Sequence, residues 1–157
     1  MPKYIKSLIS VSLLAAGCMA MTAEAKASVN DVQLCQAQLE FIDSKLASIK
    51  KYNSADVKKI RKAMSEYNTF LQTEHIKPGL LAYTGGDKAK ADMFQAQIDT
   101  FKSNQVTAMH KRYHQDQIFG DQALSVNECY KKAPMSSDKT PMMKDALETM
   151  VKLAQQN

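Results

Sequence analysis

Two cysteines, Cys35 and Cys129, carry the most constrained chemistry in this chain, because the third, Cys18, sits inside an apolar N-terminal run. Neither belongs to a CxxC pair, so thiol–disulfide catalysis has little support. In an oxidising compartment, two such thiols are expected to close a structural disulfide. The absence of CxxCH excludes the usual covalent haem attachment. His110 and His114 have the most metal-like spacing. An i, i+4 pair brings two imidazoles to one side of a helix, where they can share zinc or copper, with Met109, Asp116 or Gln117 as further donors. At about 100° per residue, however, the pair projects away from the apolar stripe through Phe94, Phe101 and Ala108, so both rings are expected in solvent beside Lys111. No glutamate follows His110 as in HExxH, and the zinc-hydrolase pattern is absent.

Seven methionines lie beyond residue 25, and Met135, Met142 and Met143 cluster around one loop. Clustered thioethers suit Cu(I), and methionine-rich surfaces suit adaptable peptide binding. Met64, Met109, Met143 and Met150 instead fall on helical apolar stripes and read as core. The sharpest charge feature is Lys50, Lys51, Lys58, Lys59, Arg61 and Lys62, with only Asp56 to offset them locally. A helix C-terminus accounts for Lys50 and Lys51, but the start of the following helix disfavours Lys58 and Lys59. That end is expected to be electropositive and able to meet an anionic headgroup, phosphate or acidic protein face. For an enzyme, no GxSxG, glycine-rich phosphate loop or nucleophile–base arrangement is present. No cofactor is expected.

The N-terminus sets the compartment. Lys3 and Lys6 precede an apolar run to Ala20, and Ala23-Glu24-Ala25 offers small residues at the two positions a signal peptidase reads. Residues 1–25 are expected to be a cleaved export signal, leaving residues 26–157 as one domain in the periplasm or secreted. Leu14-Ala15-Ala16-Gly17-Cys18 also resembles the lipobox of bacterial lipoproteins, although Ala15 stands where that motif prefers leucine. The resemblance implies an alternative in which Cys18 is lipidated and residues 19–28 form a short membrane tether. Without residues 1–25 the chain carries 19 basic and 15 acidic residues, a net +4. So modest a charge, in an exported chain, argues against nucleic acid as a partner.

The elements that must position these residues are helical. Val32, Cys35, Leu39, Ile42, Leu46 and Ile49 form a seam with alternating steps of three and four, the repeat of a helix packed lengthwise on others. This first helix opens near Ser28 or Asn30 and ends around Tyr52, with Asn53 turning the chain and Ser54 capping the next helix. There Val57, Ile60, Met64, Tyr67 and Leu71 continue the pattern, and the helix is expected to stop before Pro78-Gly79. Leu80, Leu81 and Tyr83 then make one apolar turn or a lid over an end of the bundle. Asp87 caps a third helix carrying Ala91, Phe94, Ile98, Phe101, Ala108, Met109 and Tyr113. It is expected to run to about Ile118, with Gly120 as C-cap, roughly 30 residues or ~45 Å. A shorter helix over Ala123–Lys132 carries Cys129, and Thr140-Pro141 opens the last.

The chain is thus expected to be all-α: an antiparallel bundle of about four main helices plus a short fifth, stapled once. The expected function is non-enzymatic, a binding, adaptor or chaperone-like accessory role for an exported bundle. The expected partner is an envelope protein or peptide, met either by Leu80, Leu81 and Tyr83 with a methionine-lined groove or by the basic end. An anionic membrane surface is a second expected partner. A metal-binding protein using His110 and His114, or a small secreted enzyme without a recognisable motif, are the alternatives. Oligomeric state stays open.

Overall fold

The computed structural model describes residues 27–156. The expected leader over residues 1–25, its cleavage site and Cys18 lie outside the described residues. Helix α1 spans Val29–Ser48 and is capped by Ser28, whose hydroxyl accepts the Asp31 N–H. Every residue of the seam from Val32 to Ile49 is buried. Helix α2 spans Ser54–Phe70, and Asn53, not Ser54, is its N-cap, accepting from Ala55 and Asp56 N–H groups.

Helix α2 does not stop before Pro78. It passes through a π-helical turn, Leu71–Ile76, straight into α3, Lys77–Tyr83. The Lys77 N–H bonds to Gln72 O, five residues back. This shift of register puts Pro78, which has no amide to give, just past a ladder already rearranged. The rod ends at Gly85 and Gly86, with φ of 64° and 89°, values that side chains rarely allow. The Gly86 N–H returns to Leu81 O and closes the helix end.

Helix α4 spans Lys88–Arg112, shorter than the pattern to Ile118 suggests. Its end is set from outside. The Lys45 ammonium on α1 takes the carbonyls of Tyr113 and Gln115 at 2.5 and 2.7 Å, and the chain turns away there. Ile118 then buries itself, its N–H bonded to the Tyr52 hydroxyl at 2.9 Å. Gly120 is therefore not a C-cap but the first residue of α5, Gly120–Lys132. Helix α6 spans Thr140–Ala154 and buries Met143, Ala146, Met150 and Leu153.

The fold is all-α, with no strand among the described residues. Helices α1, α2, α6 and α5 close a four-membered ring, each packed on the next. Cross-links fix their antiparallel sense: Asp43–Arg61 and Gln36–Asn68 join α1 to α2, Asp56–Lys152 and Glu66–Lys139 join α2 to α6. Cys35 and Cys129 are disulfide-bonded, with Cα atoms 5.6 Å apart, and tie α1 to α5. Tyr67, fully buried, donates its hydroxyl to Ala133 O at 3.0 Å and so fixes the α5–α6 corner to α2. Helix α4 stays outside the ring, parallel to α1, with contacts to α1 and α3.

Candidate functional site

The expected stripe on α4 does not seal against the ring. Only Ala91 on that helix is fully buried, while Phe101 is 45% exposed and Ala108 is exposed. The contact of α4 with α1 and the π turn joins polar pairs to apolar packing, since Val106, Met109 and Tyr113 rest against the core. Lys102 pairs with Glu40 at 2.7 Å, and Gln95 accepts from Gln72 at 2.8 Å. Gln72 in turn accepts from Gln36, and Asn68 donates to Glu40. With α4 held this way, Phe94 and Ile98 are half-buried and Phe101 is exposed along one flank.

That flank forms a groove of about 920 Å³ with the first turns of α1 and with α3. Val29 and Leu34 supply one wall, Leu80 and Tyr83 the second, and Phe94, Ile98 and Phe101 the third. Leu34 is 50% exposed and Tyr83 75%, the latter edge-on to Phe94 with ring centroids 5.3 Å apart. Gly79 allows the close approach at the groove's base, since a Cβ there would lie 2.6 Å from Val29 Cγ2. All twelve lining residues are uncharged, and Asn30, Gln33 and Gln97 are the amide groups among them. Such a recess, largely apolar with a few amide groups, has the size and character of a ligand site.

The expected contact segment splits. Leu80 and Tyr83 line the groove, whereas Leu81 turns to a neighbouring recess with Lys77, Lys88 and Asp92. No methionine lines the groove: Met64, Met143 and Met150 are in the core. Leu34 and Val29 escape sequence reasoning because they fall off the three-four seam. An exposed leucine between seam residues Val32 and Cys35 is the signal that marks them.

Both histidines are exposed, as expected, but they do not share one helix face. His110 faces α1: its Nε2 lies 2.8 Å from Ser44 Oγ, and its ring meets Phe41 edge-on at 5.0 Å. His114 is exposed beyond the end of α4, so the i, i+4 geometry of one helix face does not arise. No group of three or more His, Cys, Asp or Glu is gathered for a metal ion among the described residues.

The basic cluster is partly neutralised, in two of three pairs by residues distant in sequence. Arg61 makes two bonds to Asp43, at 2.7 and 3.2 Å, Lys59 pairs with Asp145 at 3.1 Å and Lys62 with Glu66 at 3.8 Å. Asp56, the expected local offset, pairs instead with Lys152. Lys50, Lys51 and Lys58 are exposed, and Lys51 stacks on the Tyr52 ring at 5.2 Å. Lys45 was not singled out by its position, yet it is the buried cation of this end, 4% exposed. Burial pulls its ammonium below the usual lysine range, and Asp116 opposes that shift.

No helix among the described residues is long and apolar enough to cross a membrane. Comparison with protein-family models, curated proteins and solved structures returns no match for this chain.

Proposed function

We propose that the protein is a non-enzymatic binding protein of an oxidising, extracytoplasmic compartment, and that its groove receives an apolar, uncharged segment of a protein or peptide partner. The observation that carries this reading is the convergence of Leu34, Tyr83 and Phe101, each substantially exposed, on one recess. Monomeric proteins seldom leave large apolar side chains contiguous without a use for them. Aromatic and leucine side chains ringed by neutral amides suit a partner anchored by apolar groups and oriented by a few hydrogen bonds. The disulfide supports the compartment.

The test is chemical-shift mapping of residues 26–157, which contain every helix among the described residues, titrated with a panel of neutral apolar peptides. Saturable shifts at Val29, Leu34, Tyr83, Phe94 and Phe101, lost in Leu34→Lys/Phe101→Glu, support the reading. Shifts scattered over the surface, or unchanged binding by that variant, overturn it.

A further inference from the structure

We propose that the opposite end of the bundle, formed by Lys50, Lys58, Lys111 and Arg112, docks on the surface of an anionic lipid bilayer. These residues come from three segments, and the parallel packing of α1 and α4 brings them together. Ser44 against His110 and Lys45 against Tyr113 O place the last turn of α4 beside the last turn of α1. Lys111 and Arg112 therefore join the cations around the α1–α2 turn, an addition that the separation of about 60 residues hides in the sequence.

Exposed cations without an ion pair gather at this end, and elsewhere among the described residues only Lys77 is in the same position. Lys50, Lys58, Lys111 and Arg112 are exposed and have no ion pair among the described residues, and Arg112 lies over its neighbour Tyr113. Most acidic groups close by are already engaged. Asp43 holds Arg61, Asp56 holds Lys152 and Asp121 accepts the Tyr113 hydroxyl at 2.7 Å, whereas Asp116 is exposed without an ion pair among the described residues. Away from this end the lysines of α4, α5 and α6 are matched, as in Lys88–Asp92, Lys102–Glu40, Lys131–Glu128 and Lys144–Glu148.

A bilayer fits this end better than an acidic protein does. Protein interfaces depend on desolvated apolar and aromatic anchors. Here Ile49, Tyr52 and Ile118 are buried in the core, and the large exposed apolar side chains nearest this end are Leu124 and Val151, one each on α5 and α6. A surface whose unpaired exposed charges are mainly cationic suits a partner that offers an extended negative field, which is what an anionic leaflet presents. Docked this way, the groove would face away from the lipid, since Leu34 and Ser48 are about 21 Å apart along α1.

The test is co-sedimentation of residues 26–157 with vesicles of phosphatidylcholine, with and without phosphatidylglycerol. Binding is expected only to the phosphatidylglycerol vesicles, and is expected to fall as salt is added. Lys50→Gln/Lys58→Gln/Lys111→Gln/Arg112→Gln should partition on the order of a hundredfold or more less strongly. All four positions are exposed, and circular dichroism checks that the variant is folded. Removing equal charge at the far end, with Lys77→Gln/Lys88→Gln/Lys90→Gln/Lys131→Gln, should leave most binding intact. Equal loss in both variants would overturn the proposal in favour of net charge alone. Absence of binding at low salt, or binding to polyglutamate but not to vesicles, would also overturn it.

Discussion

Breaking the Cys35–Cys129 bond is the perturbation whose size follows most directly from the fold. The bond spans 94 positions, so it closes a loop of nearly three quarters of the described chain. In the chain-entropy description, releasing that loop returns about 16 cal/mol/K to the unfolded ensemble, or ~4.7 kcal/mol at room temperature. Native disulfides removed from small secreted domains cost about 2–5 kcal/mol, so the value sits at the upper edge. With unfolding entropy of about 2.1 cal/mol/K per residue over a domain this size, the melting temperature should fall by roughly 7–17 °C. The assay is thermal unfolding by far-ultraviolet circular dichroism, comparing the oxidised protein, the reduced protein and Cys35→Ala/Cys129→Ala. Reduced protein and double variant should agree closely, because both release the same loop. The urea m-value should rise in both, since an uncrosslinked unfolded chain exposes more surface. A shift below about 2 °C in the reduced protein would refute the assignment of α1–α5 stapling as a main stabilising element.

Two further substitutions probe packing at separate sites of the molecule. Tyr67→Phe leaves Ala133 O without its donor and should cost about 1–3 kcal/mol in urea unfolding at neutral pH. Burial raises the Tyr67 phenol well above the ordinary tyrosine range. Above about pH 10 the unfolded state therefore releases a proton that the folded state keeps, and stability falls with rising pH. That alkaline decline should be shallower in Tyr67→Phe, and parallel declines would show that Tyr67 is not its source. Gly79→Ala drives a methyl group against Val29 Cγ2 at 2.6 Å. Overpacking there should outweigh the gain in helix propensity and cost about 1 kcal/mol net, with faster amide exchange in the first turn of α1. Unchanged exchange at Asn30–Gln33 would mean that α3 does not press on α1 as described.

How much of this was legible depends on which interactions are local. The α1 seam is written at helical spacing and is buried throughout, and Ser28 caps the helix with the residue type that N-caps favour. The cysteine pair was readable because only two thiols follow the N-terminal run. The end of α4 was not readable, because it depends on Lys45, 68 positions earlier than the carbonyl it binds. Pro78 misleads for a related reason: a local rule against proline in helices says nothing about a π turn that absorbs it. The groove was half visible. Leu80 and Tyr83 stood out, but Leu34 and Phe101 become significant only once Lys102 turns toward α1 and Gln95 toward the π turn. Likewise Arg61 and Lys59 looked unmatched until α1 and α6 brought Asp43 and Asp145 beside them.

The π turn at Leu71–Ile76 also acts as a phase shifter within a single rod. Upstream, Ile60, Met64 and Tyr67 look into the ring of helices; downstream, Leu80 and Tyr83 look toward the start of α1 and toward α4. One unbroken α-helix from Ser54 to Tyr83 would keep a single azimuth for its apolar side. The extra residue held by the π turn advances the second half by about 100°, the angle of one helical step. A lineage that lost one residue from this turn would keep its core and its disulfide. It would rotate Leu80 off Val29 and Tyr83 off Phe94, dismantling the groove while leaving the bundle folded. Length in this stretch, more than the identity of any side chain in it, is what natural selection would have to guard.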